Sequence, residues 1–180
     1  DGSDTGTGKS ATACWVAQVL GRKPFVVSPL AVSTAWKSTA EDTGTPWYGT
    51  LHYDLVRRER SPYFEWEIKN RRGAWKLPSD ALLVFDEVHR CKGQGTLNAK
   101  LLKAAARAGV PTLCLSATLA TNPLEMDALA HVLGWHDNTR FAFRAWAYQH
   151  GVKDGPFAPY YAGGDEGLIA LHQELYPERG

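Results

Sequence analysis

The sequence predicts an α/β fold, a mostly parallel sheet with helices on both faces. Short apolar runs of strand length recur: Pro24-Phe25-Val26-Val27, Ala81-Leu82-Leu83-Val84-Phe85 and Thr112 to Leu115. They lack the alternation of a half-solvated strand, so they read as strands buried on both faces. Helical stretches separate them, and strand–helix alternation builds parallel sheets. Small and polar residues follow each run, at the carboxyl ends where such sheets gather ligands. The 180 residues suit one domain with a real core, and 44% hydrophobic with 22% charged residues is a globular composition. The formal net charge of +1 gives no global basic field, so any nucleic-acid contact must be local or built from backbone amides.

The chain opens on Ser3-Asp4-Thr5-Gly6-Thr7-Gly8-Lys9-Ser10. Gly6 and Gly8 let the backbone curl until several N–H groups point at one spot, a cradle for phosphate at a helix start. Lys9 can reach the β- and γ-phosphates, and the Ser10 hydroxyl can hold Mg²⁺. The strict pattern G-x-x-x-x-G-K-[ST] wants Gly at position 3; here Ser3 stands there and Gly2 lies one place early. No strand-length run precedes the loop, so the expectation is a chain lacking the N-terminal strand of its sheet.

Ser10 to Leu20 reads as the following helix, stopped by Gly21. Pro24 to Val27 is a strand, Ser28-Pro29-Leu30 follows it, and Ala31 to Ala40 is helical. Glu41 to Pro46 is a turn-rich loop. A strand lies within Trp47 to Tyr53, with a helical turn from Asp54 through Arg57. Ser61 to Pro78 alternates Phe64, Trp66 and Ile68 with Glu65 and Glu67, and reads as a small exposed hairpin or irregular insertion. Arg57, Arg58, Arg60, Lys69, Arg71, Arg72 and Lys76 surround it, as a solvated face or a contact to a phosphate backbone. Leu97 to Ala108 is a helix closed by Gly109, and Leu124 to Leu133 is another, introduced by Asn122-Pro123. Arg140 to His150 is helical, Gly151 to Gly164 is a loop or flap, and Gly167 to Leu175 is a last short helix. The domain expectation is one unit over 1–134, with 135–180 as its helical and loop extension.

Three polar segments fall at predicted strand ends: Ser3 to Ser10, Asp86-Glu87 and Ser116-Ala117-Thr118. Adjacent acids can divide labour. Asp86 would hold Mg²⁺ beside Ser10, and Glu87 would orient the water that attacks a γ-phosphate. Their alternative role is to cap the next loop. Three cysteines without metal spacing read as reduced thiols in a cytoplasmic compartment, and no apolar run approaches the roughly 20 residues that span a bilayer. Seven Trp read as packing rather than a stacking platform.

The same segments carry a family resemblance. Asp86-Glu87-Val88-His89 resembles the D-E-x-H box of superfamily 2 helicases, and Ser116-Ala117-Thr118 their S-A-T motif. Ser28-Pro29-Leu30 is similar to the segment with which they grip one nucleic-acid strand. Ser3 to Ser10 fit the x-x-x-G-x-G-K-[ST] form, which tolerates a small first residue. His89-Arg90 leading to Asn98-Ala99-Lys100-Leu101-Leu102-Lys103, with Ser116 to Glu125, resembles the Swi/Snf-type branch and its viral relatives. The resemblance spans Ser3 to about Leu133. It implies a RecA-like first motor domain that couples Mg-ATP hydrolysis to movement on nucleic acid, DNA before RNA, in a host cytoplasm if viral. It implies that Thr5, Gly6, Thr7, Gly8, Lys9 and Ser10 bind phosphates, that Lys9, Asp86 and Glu87 are catalytic, and that Ser10 and Asp86 serve Mg²⁺. His89, Ser116 and Thr118 would couple hydrolysis to domain closure, and Ser28, Pro29 and Leu30 would meet nucleic acid. Such motors also use a second RecA-like domain carrying arginine fingers, worth about 10³–10⁵ in rate. Too few residues follow Leu133 to hold a domain of about 50–200 residues, so the expectation is slow turnover by this chain alone. The competing readings are a phosphate-loop ATPase or switch with a partner other than nucleic acid, and a scaffold with a vestigial site.

Overall fold

A computed structural model describes residues 8–57, 61–67, 72–117 and 122–175. In chain order the elements are α1 (Lys9–Val19), β1 (Lys23–Ser28), a 3₁₀ turn (Leu30–Val32), α2 (Ser33–Asp42), β2 (Gly49–His52) and α3 (Tyr53–Arg57). Then come β3 (Phe64–Glu67), β4 (Arg72–Trp75), β5 (Ala81–Asp86), a 3₁₀ turn (Val88–Cys91), α4 (Leu97–Arg107) and β6 (Thr112–Leu115). The chain closes with a 3₁₀ turn (Pro123–Glu125), α5 (Asp127–Val132), α6 (Arg140–Gln149), β7 (Val152–Lys153), β8 (Tyr160–Tyr161) and α7 (Gly164–Leu175). Four parallel strands form one sheet in the order β2-β1-β5-β6. With helices against it, this is the α/β arrangement of a RecA-like domain. No helix among the described residues is long and apolar enough to cross a membrane.

The doubly buried strands sort their side chains by alternation. Phe25, Val27, Leu83 and Phe85 point to one face, where α4, α5, α6 and the β3–β4 hairpin cover them. Val26, Leu82, Val84 and Leu115 point to the other, under α1 and α2 through Ala13, Cys14, Ala17, Trp36 and Ala40. α4 forms because Thr96 caps it, its side-chain oxygen accepting from Ala99 N at 3.1 Å, and because Leu101, Leu102, Ala104 and Ala105 line one apolar side.

Three expectations change. The β3–β4 hairpin exists but is not exposed: Phe64, Trp66 and Trp75 are buried in the larger core. Trp66 Nε1 donates to Val56 O at 3.1 Å and Trp75 Nε1 to Leu101 O at 3.0 Å, so each indole finds its partner inside. The ring centroids of Phe64 and Trp75 stand 4.6 Å apart, and those of Trp75 and Phe85 6.1 Å. Gly73, paired with Trp66, leaves room for the Phe64 ring; a Cβ there would sit 1.9 Å from Phe64 Cζ. Arg58, Arg60, Lys69 and Arg71 lie outside the described residues, and Lys76 pairs outward with Glu65.

The helix expected over Leu124–Leu133 is broken at Met126. Asn122 Oδ1 accepts from Leu124 N at 2.9 Å, and Pro123 starts a tight turn in which Met126 N donates to Pro123 O at 3.0 Å. Met126 leaves helical geometry with its side chain buried, and α5 starts at Asp127. The loop over Gly151–Gly164 contains the two-residue strands β7 and β8. Gly151 at φ 88 carries no Cβ, which would otherwise stand 2.8 Å from Gly163 Cα; the close approach fixes the ends of that hairpin.

Candidate functional site

Because the sheet is parallel, the carboxyl ends of β1, β5 and β6 share one rim. Register aligns Val27 with Phe85 and Asp86 with Leu115, so Ser28, Asp86 and Ser116 emerge side by side. α1 begins at the same site. Gly8 holds φ 78, and Thr12 N donates to Gly8 O at 2.9 Å to close the first turn. Lys9 and Ser10 are half-buried there. The Lys9 ammonium lies within electrostatic reach of the Asp86 carboxylate. Thr5, Gly6, Thr7 and Thr118 lie outside the described residues.

Asp86 is 8% exposed at the end of a fully apolar strand. Burial pushes its carboxyl above the ordinary value, and the neighbouring Glu87 charge adds to that; the Trp36 hydrogen bond and Lys9 oppose it. Trp36 Nε1 donates to Asp86 Oδ2 at 2.8 Å, and Tyr53 Oη donates to the Asp86 main-chain O at 2.9 Å. Burial also holds the Tyr53 phenol well above its usual range, so it stays a donor. Neither partner was expected from the sequence. Their only signal was negative: a buried indole or phenol needs an acceptor, and linear spacing does not name it.

Glu87 takes φ 54, ψ 51, the left-handed region that a residue with a long side chain rarely enters. The turn throws its side chain toward the 3₁₀ turn that follows. Glu87 Oε2 stands 3.0 Å from His89 Nδ1, which also lies 3.1 Å from Ser116 Oγ. The Nδ1–Ser116 contact is the hydrogen bond, and the Glu87 carboxylate stands beside it as an ion-pair partner of the imidazole. His89, Glu87 and the buried Ser116 are thereby one contact group joining the ends of β5 and β6. Lys92, just past that turn, pairs with Glu125 at 3.0 Å and ties the two loops again.

The Ser28–Leu30 segment divides. Ser28 is fully buried, and its hydroxyl donates to Pro29 O at 3.2 Å, so its side chain presents nothing outward. Leu30 is 69% exposed at the head of its 3₁₀ turn. Lys103 turns away from the rim: its Nζ donates to both carboxylate oxygens of Asp127 at 2.8 Å, bracing α4 against α5. His136 completes that brace. Asn138 N donates to its Nδ1 at 3.1 Å and its Nε2 donates to Asp127 O at 2.9 Å, which makes the ring a neutral Nε2–H tautomer.

Among the described residues no group of three or more His, Cys, Asp or Glu could hold a metal ion. Asp86 and the Ser10 hydroxyl are hard oxygen donors of the few-ligand kind that Mg²⁺ accepts when phosphates complete its shell. A cavity of about 310 Å³ between α6 and the β7–β8 hairpin, lined by Phe143, Arg144, Tyr148 and Val152 among others, includes none of the expected site residues.

The chain is similar to a viral helicase-like protein. The relative comes from Acanthamoeba polyphaga mimivirus and is named "Putative ATP-dependent RNA helicase"; the two are 32% identical over 161 residues, covering 78% of this chain and 30% of the relative. This chain therefore spans about a third of that protein's length. No family model matches the chain.

Proposed function

We propose that the chain is the ATP-binding first RecA-like motor domain of an ATP-dependent DNA helicase or double-strand translocase of the superfamily 2, Swi/Snf-like branch. The observation that supports this reading is the electrostatic reach of Lys9, at the start of α1, to Asp86 at the end of β5, where Glu87 follows in the chain. The viral relative supports a helicase-like ATPase in general terms, although its name specifies RNA.

Gly8 and Lys9 bind the phosphates together with Thr5, Gly6 and Thr7, while Ser10 and Asp86 hold Mg²⁺. When bound, Mg²⁺ neutralises charge that develops on the phosphate oxygens. Glu87 orients and takes a proton from the attacking water, and its contact with His89 holds its carboxylate in place. His89 and Ser116 relay the state of the site between adjacent strand ends. Pro29 and Leu30 meet the nucleic acid, with Thr118 as a further coupling residue.

Binding of a fluorescent ATP analogue with and without Mg²⁺, followed by filter binding of duplex DNA and of RNA with ATP, tests the reading. Mg²⁺-dependent nucleotide binding and ATP-dependent retention of DNA are expected. Retention of RNA alone would move the substrate to RNA. Nucleotide binding with no affinity for either would favour an ATPase that acts on another partner.

A further inference from the structure

We propose that Trp36 and Tyr53 are positioning residues that set the orientation of the Asp86 carboxylate and of the peptide linking it to Glu87. The inference rests on the nucleotide reading above and deepens it. An aspartate at a strand end can turn about two side-chain bonds, and in water it would sample several orientations. Here one oxygen, Oδ2, is occupied by the Trp36 indole N–H at 2.8 Å. Trp36 is 1% exposed, packed under α2 among Val26, Val84 and Leu115, so the donor cannot swing aside. A charge-assisted hydrogen bond in such a dry site is short and strong. With the indole on Oδ2 and the Glu87 main-chain N–H also donating to the carboxylate, Oδ1 is the oxygen that the indole leaves open to a cation.

Tyr53 acts on the main chain instead. Its hydroxyl donates at 2.9 Å to the Asp86 carbonyl, which belongs to the same peptide plane as Glu87 N. That plane precedes the left-handed turn at φ 54, so the phenol fixes the geometry from which Glu87 departs. Tyr53 is itself buried, with its ring 6.4 Å from that of Phe85. The two donors arrive from different sides of β5, one from α2 and one from the start of α3. Outer partners of this kind orient a metal-binding carboxylate without touching the metal, and losing one commonly costs about 10–100-fold in metal affinity.

The test uses the full chain with a fluorescent ATP analogue and a Mg²⁺ titration, beside a thermal melt of each variant. Trp36→Phe keeps an aromatic ring and removes the donor; Tyr53→Phe removes only the hydroxyl. The expected result is a Mg²⁺ midpoint about 10-fold higher for Trp36→Phe, a smaller shift in the same direction for Tyr53→Phe, and Mg²⁺-free nucleotide affinity equal to wild type. Trp36→His restores a ring N–H and is expected to recover part of the midpoint. Folded variants with a lowered melting temperature but the wild-type Mg²⁺ midpoint would overturn the inference. If Trp36→Phe does not fold, Tyr53→Phe decides by the same criterion. A wild-type chain whose nucleotide binding ignores Mg²⁺ would sink the nucleotide reading and this inference with it, whereas Mg²⁺-dependent wild-type binding with unmoved variants sinks this inference alone.

Discussion

Phe85 and Asp86 are neighbours on one strand, yet they belong to regions built on opposite terms. Phe85 sits in the larger core, fully buried between the edge of Trp75 and the Tyr53 ring. Phe85 has no polar side-chain atom, so contact alone holds it there. Asp86 is almost as inaccessible, but it carries a carboxylate whose charge burial opposes, next to a second acid in a strained backbone. The first region gains stability from packing density. The second gives some of it up to hold charge where water is scarce, a common feature of sites that bind ions or do chemistry.

Four measurements break or sharpen that contrast. Trp75→Ala should be the most damaging, since it empties a buried indole site and removes the indole's hydrogen bond to Leu101 O; a loss of about 3–5 kcal/mol in denaturant unfolding is expected. Gly73→Ala should follow at about 1–3 kcal/mol, because the added methyl must displace the buried Phe64 ring. A melting temperature equal to wild type would mean that the hairpin yields easily and is not part of the core.

Asp86→Asn should act in the opposite direction. The folded-state pKa of Asp86 is raised above 3.8, so its charged form is disfavoured by folding. Stability from this group is fully present below 3.8 and is lost as pH rises through the folded value. At neutral pH the amide should therefore stabilise the fold by about 0.5–2 kcal/mol, a gain that fades as the wild-type acid protonates. Destabilisation at neutral pH would erase the contrast drawn above.

The smallest effect should come from His136. Burial holds its pKa below 6.5, against the pull of Asp127. A depressed folded value means that its stability is present above 6.5 and is lost as pH falls from there through the folded value. Comparing unfolding of the wild type and His136→Asn at neutral and mildly acidic pH should show a shallower acid loss in the variant; equal slopes would assign that loss to other groups.

Much of this was legible before any coordinates. Apolar runs without alternation marked β1, β5 and β6, because strands buried on both faces leave no polar face to write into the sequence. That Asp86-Glu87 and Ser116 follow strand ends was legible for the same reason, but the contact among Glu87, His89 and Ser116 was not written into their spacing. The hairpin's burial was not legible: Phe64-Glu65-Trp66 shows one apolar side, and a side can be covered by a neighbour only tertiary structure supplies. Nor was the break at Met126, where one asparagine cap and one buried thioether outweigh a continuous helical pattern. Trp36 and Tyr53 were missed for a related reason. Nothing along the chain distinguishes an indole that meets a carboxylate from one that meets a carbonyl, as Trp66 and Trp75 do.

The left-handed turn falls at Glu87 and not at Asp86, and that makes the order of the two acids matter as much as their presence. The shorter side chain ends an extended strand within reach of a fixed indole, while the longer one leaves a sharp bend and spans to an imidazole. Transposing them would crowd the first niche by a methylene and leave the second a methylene short, so a chain of identical composition would lose both attachments.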